Sequence, residues 1–233
     1  MPKPLRYIAL IPAAGVGTRL GSDIPKQHLR LGERTMLEHS IAAMLADARI
    51  DRVFVVIAPS DGQRPSNPRD DERVEFLAVG GTSRAQSVLN GLIAIAARTS
   101  DDDRVLVHDA ARPCLGKTEL ARLIDEVGND DRGGLLAMPL TDTLKRAEEG
   151  LVVETVRRDG LWCAQTPQMF RFASLRAALS AGPLDDITDE ASAIERNGNF
   201  PRLVLGSAAN IKVTSEQDLT LARAILTKSD CIR

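Results

Sequence analysis

Short apolar β-rich runs alternating with helical stripes predict an α/β fold, a mainly parallel twisted sheet with helices on both faces. Three observations carry this expectation. Tyr7-Ile8-Ala9-Leu10-Ile11 and Val53-Phe54-Val55-Val56-Ile57 are continuous apolar runs, as strands buried on both faces read. Stripes of helical period stand between successive runs. The chain has 233 residues and 43% hydrophobic content, enough to bury a full core as one large domain or two small ones, and it is read here as one domain over 1–233.

In chain order, the strand at 7–11 is followed by a helix marked by Leu37, Ile41, Met44, Leu45 and Ala48. Strands at 53–57 and 74–79 come next, then a stripe of Ala85, Val88, Leu89, Leu92, Ile95 and Ala96. A strand at 105–107, a helix at 120–127 and a strand at 135–138 continue the Rossmann-like alternation. The last helix opens on Ser215-Glu216-Gln217-Asp218, a capping-box pattern, and buries Leu219, Ala222, Ile225 and Leu226. Two segments interrupt the pattern. Residues 60–72 are polar and proline-bearing and read as a surface loop. Residues 142–165 contain a Glu148-Glu149-Gly150 turn between β-rich runs, a hairpin inserted as an arm with apolar residues on both faces. Such a hairpin needs a covering surface, from its own domain or from a second subunit.

Composition excludes several classes. Formal charge is −2 and aromatics are 3%, so neither a basic face nor a stacking platform for nucleic acid is expected. No apolar run approaches a membrane span. With the loop starting at Pro12, no cleavable presequence is expected before it. Cys114, Cys163 and Cys231 are scattered and odd in number, which suggests reduced thiols, a cytoplasmic chain and no zinc site.

The unusual residues fall where an open α/β sheet binds ligands, beyond the carboxyl ends of its strands. After the first strand comes Pro12-Ala13-Ala14-Gly15-Val16-Gly17-Thr18-Arg19-Leu20-Gly21, then Pro25-Lys26-Gln27. Small side chains let a ligand lie against backbone N–H groups, and Arg19 and Lys26 answer concentrated negative charge; the combination asks for a polyphosphate. Leu20 stands where a dinucleotide fingerprint needs its third glycine, and neither Gly15 nor Gly17 begins a Walker loop. Gly80-Gly81-Thr82-Ser83-Arg84, with Ser87 one turn on, offers glycines for close approach and hydroxyls for the edge of a base. His108-Asp109-Ala110-Ala111-Arg112-Pro113 makes a tight polar corner. There Asp109 suits a ribose hydroxyl or a metal ion, Arg112 suits a polyol or Asp109 itself, and His108 reads as a structural hydrogen-bonder. Lys212 in Asn210-Ile211-Lys212-Val213-Thr214 reads as a cation on an apolar strand pointing into a cleft, and Thr188 as a helix N-cap able to touch ligand as well.

These motifs, together with Gln165-Thr166-Pro167-Gln168 and Thr188-Asp189-Glu190-Ala191, occur in an order that resembles the 2-C-methyl-D-erythritol 4-phosphate cytidylyltransferase family from about Ile8 to Leu226. The resemblance implies transfer of CMP from CTP to the sugar-alcohol phosphate with release of pyrophosphate, in non-mevalonate isoprenoid synthesis. It implies a magnesium or other divalent cofactor, held mainly on the CTP phosphates, and a homodimer through the hairpin arm. Residue by residue, it places Ala13, Ala14, Gly15 and Gly17 around the triphosphate, Gly81, Thr82 and Ser87 at the cytosine, and Asp109 with Ala110 at the ribose. Arg19 and Lys26 would stabilise the transition state. Arg158 and Lys212 would act in catalysis and position the second substrate, with Arg112, Thr143 and Thr188 around it, Thr143 and Arg158 arriving from the partner subunit. Departures are modest: Thr18 replaces a second basic residue of some relatives and His28 a common aromatic. Two other readings stay open on sequence: a ribitol 5-phosphate cytidylyltransferase, and a non-catalytic CTP-binding sensor that needs no second anionic site.

Overall fold

The computed structural model describes residues 5–15, 25–60 and 71–230. Among the described residues, eleven strands and six α-helices run in the order β1 (Tyr7–Pro12), β2 (Arg30–Leu31), β3 (Arg34–Thr35), α1 (Met36–Met44), β4 (Ile50–Val56), β5 (Val74–Leu77), α2 (Arg84–Ile95), β6 (Arg104–Val107), α3 (Lys117–Val127), β7 (Gly134–Pro139), β8 (Leu144–Glu148), β9 (Leu151–Val156), β10 (Trp162–Arg171), α4 (Phe172–Ser180), α5 (Glu190–Arg196), β11 (Arg202–Leu205) and α6 (Glu216–Asp230). Seven strands form the central sheet in the order β11-β7-β10-β6-β1-β4-β5. Only β10 is antiparallel to its neighbours, β6 and β7.

The continuous apolar runs divide between two cores by strand pleat. Ala9 and Ile11 of β1, Val53 and Val55 of β4 and Leu106 of β6 pack on Leu37 and Ile41 of α1 and on Leu120, Leu123, Ile124 and Val127 of α3. Their neighbours Ile8, Leu10, Phe54, Val56, Val105 and Val107 face the opposite way, onto Val88 and Leu92 of α2, Leu175 of α4 and Ile194 of α5. A satellite core seats α6 through Leu219 and Ala222 against Leu31, Met36, Ala111 and Val213. α6 starts as its sequence predicts: Ser215 Oγ accepts from the Asp218 amide at 3.2 Å while Asp218 Oδ2 accepts from the Ser215 amide at 2.9 Å.

Several expectations are corrected. α1 ends at Met44, and Ala48 lies exposed beyond it. Gln165-Thr166-Pro167-Gln168, which the alternation left without an element, is the middle of β10, where the ladder to β7 breaks between Ala164 and Gln168. Proline has no N–H to give a ladder, so the strand bulges there and its polar groups turn elsewhere. Lys212 lies on irregular chain, not on a strand; its segment is tied down by the Val213 amide donating to the Ala111 carbonyl at 2.8 Å. The strand before it, β11, buries only Val204 and sits at the sheet edge, so it gives almost no periodic signal. The arm is narrower than 142–165. The Leu140 amide closes on the Leu161 carbonyl at 3.0 Å, and from Trp162 the chain is already paired with β7.

The arm itself, β8 and β9, is a separate two-stranded sheet. Its tip is a two-residue turn, Glu149 and Gly150, with φ of 49° and 82°; both central residues of a type I′ turn need positive φ, and glycine supplies the second without strain. Leu151 is 75% and Val152 63% exposed.

Candidate active site

The strand order reverses between β6 and β1, because the chain leaves β1 toward β4 and β5 and returns to β6 on the other side. A cleft of about 400 Å³ opens there, at the carboxyl ends of these strands. Its walls come from four chain regions: Ala13, Ala14 and Gly15 after β1 with Lys26 and Gln27; Gly81, Thr82, Ser83, Arg84 and Ser87 from the β5–α2 loop and the start of α2; Asp109, Ala110 and Ala111 after β6; and Lys212. Gly17, Arg19 and residues 61–70 lie outside the described residues.

Buried Gln27 holds the first loop open-handed. Its Nε2 donates to the Ala13 carbonyl at 3.1 Å and the Gly15 carbonyl at 2.9 Å, so both oxygens are already engaged. A Cβ on Gly15 would meet none of the described residues within 4 Å. Gly80 is different. A Cβ there would stand 2.3 Å from Ala14 Cβ and 2.9 Å from the Ile57 carbonyl, so this glycine brings the two loops together rather than approaching a ligand. Ser87 shapes the second loop: its hydroxyl donates to the Ser83 carbonyl at 2.8 Å and accepts from the Gly81 amide at 3.0 Å.

Asp109 is the electrostatic centre. Oδ1 accepts from Arg84 Nε at 2.8 Å and Oδ2 from Lys212 Nζ at 2.8 Å. Burial alone would raise its pKa, but Arg84 and then Lys212 outweigh that and hold it below the ordinary carboxylate range. Its backbone is fixed by a buried relay. The Asp109 amide donates to Thr166 Oγ1 at 3.0 Å, and because the neutral ring carries its proton on Nε2 against a carbonyl, the Thr166 hydroxyl donates to His108 Nδ1 at 3.0 Å. Nε2–H of that histidine then donates to the Arg112 carbonyl at 3.1 Å. Full burial pushes His108 down to about 4, and the ring is neutral. The reading of His108 as a structural hydrogen-bonder agrees with this geometry.

The β10 bulge supports the remaining wall. Gln165 Nε2 donates to the Ser207 carbonyl at 2.9 Å, and the Thr166 carbonyl accepts from buried Asn210 Nδ2 at 2.8 Å. Arg112 completes the tie, with Nη1 on the Asn210 carbonyl at 2.6 Å and Nη2 on the Ala164 carbonyl at 3.3 Å. Burial lowers its pKa, and its fork faces these carbonyls instead of pairing with Asp109. Thr188 is exposed and is not the cap of α5; Asp189 is, accepting from the Ser192 amide at 2.9 Å in a reciprocal box. Thr143 and Arg158 are exposed, beside β8 and just after β9, and do not line the cleft of their own chain.

Sequence reasoning passed over Arg84, Glu190, Gln27, Thr166 and Asn210 as site residues. Arg84 carried the one available signal. A cation at the first position of a helix opposes the dipole, so an arginine opening α2 asks for a carboxylate partner. Among the described residues no three His, Cys, Asp or Glu side chains group to cage a metal. One carboxylate at a nucleotide cleft fits magnesium carried on phosphates, since that ion commonly takes one or two protein carboxylates and keeps the rest of its shell for phosphate and water.

A switch-point cleft with backbone loops, two lysines and an anchored aspartate is the architecture of a nucleotide-binding α/β protein. The model of the family described as IspD: 2-C-methyl-D-erythritol 4-phosphate cytidylyltransferase matches residues 7–228. The enzyme of that name from Laribacter hongkongensis is 55% identical, over 95% of this chain and 96% of its own. That from Chromobacterium violaceum is 51% identical, over 96% and 99%. A crystal structure of 4-diphosphocytidyl-2C-methyl-D-erythritol synthase superposes with a TM-score of 0.86 at 42% identity, covering 96% of this chain and 99% of that one. The chain belongs to the 2-C-methyl-D-erythritol 4-phosphate cytidylyltransferase family.

Proposed function

We propose that this cytidylyltransferase transfers CMP from CTP to 2-C-methyl-D-erythritol 4-phosphate, giving 4-diphosphocytidyl-2-C-methyl-D-erythritol and pyrophosphate for non-mevalonate isoprenoid synthesis. The observation that carries the reading is the shared cleft: Lys26, Lys212, Asp109 and the 13–15 loop line one cavity although they come from distant parts of the chain. The nucleophile is the substrate's phosphate monoester, whose second pKa of about 6 leaves it largely dianionic at neutral pH. It attacks the α-phosphorus in line; the new P–O bond forms as the α–β bridging bond breaks, and pyrophosphate departs. No general base is needed, and His108, buried and neutral, has both ring nitrogens engaged.

The barrier is the approach of two anions, which fixed cations lower. Lys26 and Lys212 are assigned to the developing charge, with Arg19 as a third cation. Ala13, Ala14, Gly15 and Gly17 would take the triphosphate, Gly81, Thr82 and Ser87 the base, and Asp109 with Ala110 the ribose. Magnesium, held by the nucleotide phosphates with Asp109 at hand, would supply further charge neutralisation. Arg112, Thr188 and Lys212 would border the second substrate, with Thr143 and Arg158 supplied across a homodimer by the partner's arm. No helix among the described residues is long and apolar enough to cross a membrane, and a cytoplasmic location is part of the same proposal. The deciding measurement is pyrophosphate release with CTP, magnesium and methylerythritol phosphate. Release should depend on both substrates; equal rates with ATP, GTP or UTP, or with ribitol 5-phosphate, would overturn the assignment.

A further inference from the structure

Glu190 does not itself line the cleft, yet its side chain is 1% exposed and pairs with one wall residue, Arg84. Its two oxygens take the Arg84 fork, Nη1 to Oε1 at 2.7 Å and Nη2 to Oε2 at 3.0 Å, while Arg84 Nε continues to Asp109 Oδ1 at 2.8 Å. A planar guanidinium held at both Nη atoms can present Nε in one direction only. Glu190 is itself fixed on both sides. Buried Gln168 donates to Asp189 Oδ2 at 2.8 Å and accepts from the Ala191 amide at 2.8 Å, so the first turn of α5 is clamped to β10. A buried ion pair is weak grounds for stability, since its desolvation offsets its attraction. Its use here is directional.

We propose that Glu190 is a positioning residue for the transferase: it fixes the Arg84 guanidinium and, through it, aims the Asp109 carboxylate at the sugar of the nucleotide. This rests on the ribose role given to Asp109 above. Removing the aim lowers discrimination between a ribonucleotide and its deoxy analogues, an effect that general destabilisation does not have.

The test compares kcat/KM for CTP with that for 2′-deoxy-CTP and 3′-deoxy-CTP in the intact enzyme and in Glu190→Gln, Glu190→Asp and Asp109→Asn. Asp109→Asn should cut the preference for CTP over at least one deoxy analogue by tenfold or more. Glu190→Gln should cut the same preference by at least fivefold, through the CTP value, and should add nothing to it when combined with Asp109→Asn. Glu190→Asp keeps the charge but falls one methylene short of the fork; it should show the same loss and keeps the test open if the glutamine variant does not fold. Equal losses on all three nucleotides in the Glu190 variants, beside a preference lost in Asp109→Asn, overturn the positioning role. An unchanged preference in Asp109→Asn overturns the ribose reading itself, and with it the aim assigned to Glu190.

Discussion

At the scale of single residues, charge state and direction decide the chemistry. Lys26 and Lys212 lie far apart in the chain and line the same cleft. Deleting one fixed donor to a transition-state charge typically costs about 3–4 kcal/mol. Lys26→Ala and Lys212→Ala should each lower kcat at least a hundredfold with the melting temperature within a few degrees of wild type; steady-state kinetics beside calorimetry checks this. His108 makes a second prediction. Its folded pKa, about 4, lies below the ordinary 6.5 because burial penalises the cation, and protonation would leave Nδ1 unable to accept from Thr166. The unfolded chain therefore takes up the proton first. His108 contributes stability in full above 6.5, and that contribution falls away as pH drops from 6.5 to about 4, by on the order of 3 kcal/mol. Asp109, held below its ordinary value by Arg84 and Lys212, loses its contribution only below that window. Denaturant unfolding at pH 7 and pH 4.5 should show the loss in wild type and a flatter dependence in His108→Gln.

At the scale of elements, the cleft depends on loops that touch one another. Gly80 lets the β5–α2 loop rest on Ala14, where a Cβ would stand 2.3 Å from its neighbour. Gly80→Ala should therefore push the two walls apart, cost about 1–3 kcal/mol as other overpacked sites do, and raise KM for CTP. Adding Ala14→Gly should restore part of both, leaving the contact with the Ile57 carbonyl unrelieved. A KM unchanged in the single variant would show that the loops do not set the nucleotide site. The β10 bulge has the same standing. By leaving the ladder at Pro167 it frees Thr166 and Gln165 to hold the Asp109 corner and the 207–212 segment.

For the whole molecule, the arm carries the proposed assembly. Leu151, Val152 and Val153 are all exposed, and apolar surface on an inserted hairpin calls for cover. In the proposed homodimer, Arg158 of each arm serves the other chain's cleft. Mixing Arg158→Ala with Lys26→Ala protein should then regain activity, since a hybrid dimer holds one intact site. Verified heterodimers without recovery would argue that each chain works alone.

What the sequence determined by itself was the layered α/β order and the loops that carry ligand. Continuous apolar runs and helical stripes are local patterns, and strand 7–11, the 105–107 strand and the capping box of α6 follow from neighbours in the chain. The motif residues also named much of the cleft wall, Ala13, Gly15, Lys26, Gly81, Asp109 and Lys212 among them. Tertiary structure alone decided the direction of β10, the edge strand β11 and the partners of each charge. Arg112 turned to carbonyls and Arg84 to carboxylates because such choices depend on groups a hundred residues away, which one-dimensional spacing does not record.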